Sequence, residues 1–176
     1  KTVVEVIPPA LASVETLNDI LSQRNPKRTV DIKVDKKTMR IGVDALKLDI
    51  KSSHDGFVYV VLLGSDKKSF YVLFPNGLDS DHRISKLKPM RIPKPSWEIK
   101  AAGPAGTDHL LVMVTDTPRK INTLTMSTPT STDPFTYTLN DLGGRAALID
   151  FLTGSGVDGR SETFGAKLIT VQEAEK

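Results

Sequence analysis

From Thr29 to Thr115 the chain repeatedly alternates apolar and polar residues in short runs separated by Gly, Pro, Asn and Asp. "TVDIKV" sets Val30, Ile32 and Val34 against Asp31 and Lys33, and "ALKLDIKSS" places Leu46, Leu48 and Ile50 on one side. A period of two is that of a strand with one face in a core and the other in water. "KTMRIG" continues the pattern, whereas "GFVYVVLLG" is an unbroken apolar run, as expected of a central strand covered on both faces. "KSFYVLFPN" follows across the short connection "SDKK", which predicts a hairpin. "MRIP", "SWEIKA", "HLLVMVT" and the closing "AKLITVQEAE" supply further strands, with His109 at a strand edge. Many short strands with Gly, Pro and Asn turns predict a mainly β (α+β) fold, an antiparallel β-sandwich-like domain or a partly closed barrel.

Two segments break the period. In "ALASVETLNDILSQRN" the residues Leu11, Val14, Leu17 and Leu21 recur at helical spacing with Ile20 beside them, and Asn25-Pro26 ends the run. In "NDLGGRAALIDFLTGSG" the residues Leu142, Leu148, Phe151 and Leu152 lie near one helical face. Asn140 or Asp141 is placed to cap that helix and Gly154 to end it, while Gly143-Gly144 weakens its first turn. The length of 176 residues fits a single domain spanning 1–176. Its parts are a helical segment (1–28), a β core (29–118), a Ser/Thr/Pro-rich connection (119–139) and a C-terminal helix with a closing strand (140–176). "GVDGRSETFG" reads as a loop, and no internal repeat is visible.

The net charge of +3 is too small to imply a nucleic-acid partner, yet its distribution is uneven. Residues 1–100 hold 18 basic against 12 acidic side chains; the remaining 76 residues hold 6 basic and 9 acidic. Without cysteine there is no disulfide framework, thiolate metal site or cysteine nucleophile, a composition that fits an envelope compartment. No apolar run approaches the ~18 residues of a membrane span, so this piece is not expected to insert into a membrane directly. Because it starts at lysine rather than methionine, the chain is expected to be a fragment of a longer protein.

Residues that carry chemistry are scattered. Ser53-His54-Asp55 contains three residue types of a hydrolytic triad, but adjacency opposes convergence, and "SSHDG" reads more simply as a turn, with Gly56 permitting an unusual φ and Asp55 bonding nearby backbone. His54, His82 and His109 show no metal-ligand spacing, and Asp79 with Asp81 lacks the rest of a calcium loop. No glycine cluster forms a phosphate cradle, so no cofactor and no metal are expected. "GPAGTD" reads as a tight turn feeding a strand, with Asp108 bonding backbone donors. The stretch from Asn76 to Lys100 gathers Arg83, Lys86, Lys88, Arg91, Lys94 and Lys100 around Trp97, the only tryptophan. Its charges alternate with Leu87, Met90, Ile92 and Ile99, as on the solvated face of a strand pair, and lysines and prolines there protect a sheet edge. Used as a partner surface instead, this stretch would offer Arg91 and Trp97 as anchors, with Lys94, Lys88 and His82 beside them.

At "SSHDGFVYVVLLGSDKKSFYVLFPN" and "IPKPSWEIKAAGPAGTDHLLVMVTDTP" the chain resembles a bacterial domain-of-unknown-function family. The matching pattern is Asp55-Gly56-Phe57, Leu73 to Asn76, Ile92-Pro93 and Pro104 to Asp108, about half the chain centred on residues 44–118. The resemblance implies a β-rich module appended to Ser/Thr protein kinases, caspase-like peptidases and envelope or type six secretion-associated proteins. It implies no catalytic residue. The resulting expectation is a non-catalytic binding or sensory module, periplasmic or extracytoplasmic, with a protein partner in the envelope or secretion apparatus. The alternatives are a hydrolase using His54 and Asp55 with a separate serine, and a purely structural spacer.

Overall fold

In the computed structural model, which describes residues 9–119, 134–153 and 163–175, ten strands and two helices build three layers. The elements are α1 (Pro9–Ser22), β1 (Val30–Val34), β2 (Thr38–Arg40), β3 (Leu48–Ser52), β4 (Gly56–Leu63), β5 (Ser69–Phe74), β6 (Arg83–Ile84), β7 (Met90–Ile92), β8 (Gly106–Thr115), β9 (Thr136–Leu139), α2 (Leu142–Thr153) and β10 (Phe164–Ala174). A small sheet has the order β1-β3-β7 and a large one β2-β10-β8-β4-β5-β9, with β6 paired to the start of β4. Every pairing is antiparallel except β2 with β10. The domain is mainly β, sandwich-like, with two helices on one side.

Each sheet follows from its burial pattern. On β4 the residues Val58 and Val60 face the small sheet, while Tyr59, Val61 and Leu63 face the helices. β8 divides likewise, with Leu110, Val112 and Val114 on one side and Leu111 and Met113 on the other. A sheet covered on both faces has no use for polar alternation, hence the continuous apolar runs. The small sheet keeps the alternation because its outer face meets water. There Asp31 lies opposite Lys51, and Asp49 lies opposite both Lys33 and Arg91. Opposite charges directly across strands stabilise the pairing, and the face presents charge rather than apolar surface.

The helices close the second core. Leu17 and Ile20 of α1 are fully buried there, with Val14 and Leu21 half-buried; the side chain of Leu11 lies outside those described. Leu148, Phe151 and Leu152 of α2 complete the layer. Leu142, expected on the same face, is 81% exposed, because it opens the helix before the first turn reaches the sheet. Asp141 is the cap: its Oδ1 accepts the Gly144 amide at 2.7 Å. The glycine there is required by space, since a Cβ on Gly144 would lie 1.7 Å from the Leu139 carbonyl oxygen.

Four further expectations are corrected. "SWEIKA" is not a strand: between Pro93, Pro95 and Pro104 it makes only an isolated bridge, Lys100 with Ala45. The expected 119–139 connection contains β9, whose Thr136 and Thr138 are buried; residues 120–133 lie outside those described. His109 is not at an edge, because β10 arrives from the far end of the chain and puts Thr170 opposite it, with Leu63 of β4 on the other side. Gly56 has no unusual φ; it is glycine because a Cβ would meet the Thr115 carbonyl oxygen at 2.3 Å. Gly154 and the 154–162 loop also fall outside the described residues.

Candidate functional site

The basic stretch is where an interface was expected, and Trp97 does not take part in one. It is 6% exposed, stacked on Phe74 at 5.9 Å between centroids and edge-on to Phe135 at 6.1 Å. Its Nε1 donates to Asp79 Oδ2 at 3.1 Å, and Lys94 Nζ lies 3.3 Å from Asp79 Oδ1. With both ring edges packed and the N–H satisfied, the indole is a core residue rather than an anchor for a partner. Asp79 is occupied by these two donors. The turn before it is held by Asn76, whose Nδ2 donates to Leu73 O and whose Oδ1 accepts the Leu78 and Asp79 amides.

The other expected residues divide between packing and surface. His82 donates from Nδ1 to Val58 O at 3.0 Å, and its ring packs against Phe57 and Tyr59 at 5.2 and 5.0 Å. Burial lowers its pKa below the usual imidazole value. Arg91 is exposed but forks onto Asp35 at 2.5 and 2.8 Å and reaches Asp49 at 3.3 Å. The Arg91 guanidinium holds the Asp35 carboxyl below its ordinary value. Lys88 is exposed, beside Leu87, which is 57% exposed and has a φ of 61°. A shallow groove of about 710 Å³ runs past Lys47, Arg91 and Lys94.

His54 and Asp55 serve the turn that holds them. Ser52 Oγ donates to His54 O at 2.7 Å from a fully buried position, and Asp55 Oδ1 accepts the Lys86 amide at 2.6 Å. Ser53 Oγ accepts the Thr29 amide.

A different cluster lies at one end of the sandwich. On β8 and β10 the residues Asp108 and Val171 are register partners, as are Gly106 and Glu173. Asp108 and Glu173 are therefore diagonal neighbours on the face that carries Leu110, Val112 and Val171 into the inter-sheet core. They are 5% and 7% exposed. Glu173 Oε1 accepts the Gly103 amide at 2.9 Å, and Ser65 Oγ, which donates to Pro104 O at 2.5 Å, lies 3.3 Å from Oε2. The "GPAG" turn makes that approach: Gly103 has φ 79° and Gly106 φ 150°, a region that favours glycine.

Asp108 touches Glu173 and accepts the Ser65 amide, yet among the described residues its Oδ1 receives no donor. Burial first, then the Glu173 carboxyl, push Asp108 up to about 8, so the pair holds a proton at neutral pH. The nearest ammonium, Lys67, attracts Asp108 but donates instead to Thr107 O at 2.6 Å and approaches His109 Nδ1 at 3.3 Å. Burial and the Lys67 charge lower the His109 pKa, which leaves the imidazole neutral to accept that bond.

The acid pair lines a cavity of about 300 Å³ walled by Leu46, Leu62, Tyr71, Leu73, Ile99 and Phe135, with Glu98 and Lys100 at its exposed rim. Apolar walls with a few convergent polar groups are the make-up of a small-ligand site. Sequence reasoning treated Asp108 as a turn residue and did not consider Glu173. The signal was present: carrying the two-residue period outward from Val112 and Leu110, and from Ile169 and Val171, puts both acids on the inward face.

Fold and site together define a three-layer β–β–α domain with a polar-floored cavity at one end of its sandwich. The family model described as domain of unknown function (DUF4384) matches residues 38–118. No curated protein and no solved structure matches the chain. The matched stretch runs from β2 through β8, so it includes Asp108, whereas Glu173 and the strand that carries it lie outside it.

Proposed function

We propose that this domain is a non-catalytic recognition module of a larger bacterial envelope- or secretion-associated protein, and that its ligand enters the cavity floored by Asp108 and Glu173. The observation that carries the reading is that cavity, where a pair of buried carboxyls interrupts otherwise apolar walls. A scaffold gains nothing from an acid pair facing a void, and a buried polar group without its donors is destabilising. The test is an amide-resolved NMR titration of the folded domain with a library of small metabolites. Shifts clustered at Ser65, Gly103, Asp108 and Glu173 support the reading. A library that leaves those amides unmoved overturns it.

A second reading places a protein partner on the basic surface. It is favoured by Leu87, an exposed leucine in the left-handed region between Lys86 and Lys88. Backbone strain of this kind collects at binding sites. Capture from envelope extract with Leu87→Ser and Lys88→Glu variants tests it; capture unaffected by either sinks it. Trp97→Ala is unsuited to the purpose because it empties the core. The hydrolase alternative has less support, since Asp55 already accepts the Lys86 amide and the His54 backbone is held by Ser52 Oγ.

A further inference from the structure

The Asp108–Glu173 pair is an incompletely matched site, and what it lacks describes what would complete it. Among the described residues neither carboxyl has a Lys or Arg within ion-pair distance. The cations nearby are used elsewhere: Lys67 on Thr107 O and His109, and Lys100 on Glu98 at 3.7 Å on the rim. Glu173 has the Gly103 amide as its donor, but among the described residues Asp108 Oδ1 has none although the residue is almost wholly buried and lines the cavity. We infer that the cavity receives a protonated amine on an apolar stem, with the ammonium seated on the Asp108–Glu173 pair and the stem along Leu62, Tyr71 and Ile99. This rests on the cavity being the binding site, as proposed above.

Other ligand classes fit less well. An anion would meet two carboxyls and no free cation. A neutral apolar molecule would leave Asp108 Oδ1 without a donor. Calcium wants six to eight oxygens, and no group of three or more His, Asp or Glu side chains suited to a metal exists among the described residues. An ammonium brings one positive charge and three donors on a compact head, and aromatic walls such as Tyr71 and Phe135 suit a cation and its methylenes alike.

The ammonium takes the place of the proton the two acids share, so binding releases a proton and strengthens as pH rises. The charged groups facing the pair are Lys67 from the β4–β5 turn, with Asp66 beside it, and Glu98 and Lys100 on the rim. His109 lies behind Lys67 on the opposite face of β8 and acts only through that lysine.

The test is an NMR and calorimetric titration of the 1–176 chain with n-pentylamine, n-pentanol, pentanoate and calcium chloride. Two peptides, one with a central lysine and one with norleucine in its place, form parallel arms. Pentylamine or the lysine peptide is expected to shift the Ser65, Gly103 and Glu173 amides, tightening about ten-fold or more between about pH 6 and pH 9. Pentanol and pentanoate are expected to leave those amides unmoved. Asp108→Asn should weaken binding about ten-fold and flatten its pH dependence; Glu173→Gln is the second variant should the first not fold. Response to pentylamine alone identifies a free amine, and response to the lysine peptide alone identifies a protein side chain. Pentanol binding as tightly as pentylamine at the same amides overturns the ammonium inference and keeps the cavity reading. So does a response to calcium chloride with none to the amines. Silence from every probe overturns both.

Discussion

The indole nitrogen of Trp97 donates to the Asp79 carboxylate across 3.1 Å, and both groups are buried. That bond ties the connection after β5 to the segment after β7, and the Phe74 ring stacked on the indole fills the space between them. Trp97→Ala should therefore lower stability by about 3–5 kcal/mol, as deletion of a packed aromatic does. Trp97→Phe keeps the stacking but leaves Asp79 Oδ2 without its donor, for a loss of about 1–3 kcal/mol. Urea unfolding measures both. A loss below about 1 kcal/mol for Trp97→Ala would put the indole at the surface after all.

Glycine substitutions separate close approach from simple turn chemistry. A Cβ on Gly56 would lie 2.3 Å from Thr115 O and 2.8 Å from Val114 Cγ1, so Gly56→Ala must push β4 from β8 and should cost about 1–3 kcal/mol or more. Gly64→Ala, whose nearest neighbour is Asp66 Oδ1 at 3.7 Å, should be neutral or stabilising by up to about 1 kcal/mol. Thermal denaturation of the two variants decides it. Equal losses would show that backbone contact is not what requires glycine at position 56.

The acid pair sets a pH dependence with a definite sign. Asp108 is raised in the folded state to about 8 and titrates near 3.8 when unfolded, so between those values the folded chain holds the extra proton. Its stabilising contribution is complete below the unfolded value and is lost as pH rises towards 8. Urea midpoints should fall between about pH 5 and pH 8, with a slope of at most about 1.4 kcal/mol per pH unit. Asp108→Asn should flatten the slope and be the more stable protein near pH 8. A midpoint that rises with pH over this window would mean the carboxyls are not sharing a proton.

Leu87→Gly separates strain from function in one variant. The left-handed φ of 61° opposes a branched side chain, and more than half of that side chain is in water. Relief of the strain, less the entropy of the added glycine, should raise stability by about 0.5–1 kcal/mol. If the basic surface holds a partner, the same variant should capture less of it while melting higher. A variant that melts lower would show that the leucine contributes packing here.

Much of this architecture is local and legible in the sequence. The alternation of Val30, Ile32 and Val34 marks a strand with a wet face, and the unbroken "GFVYVVLLG" marks one with none. Asn140 and Asp141 stand where an N-cap must stand. These are readings of period and capping chemistry, which depend on neighbours a few residues away.

What the sequence by itself determined, then, was the kind of layer each segment joins; which segments meet was decided by the tertiary structure. β10 inserts between β2 and β8, so His109 sits inside a sheet, and residues 38–118 alone lack a strand of their own sheet. Trp97 is buried because Phe74, Asp79 and Phe135 converge on it from three other segments. Asp108 has its pKa raised by burial first and then by Glu173, which β10 lays beside it, and both depend on the tertiary structure. Periodicity says which way a side chain faces. Which residue it faces depends on strand pairing between distant parts of the chain, and that order is selected by the burial of both cores together.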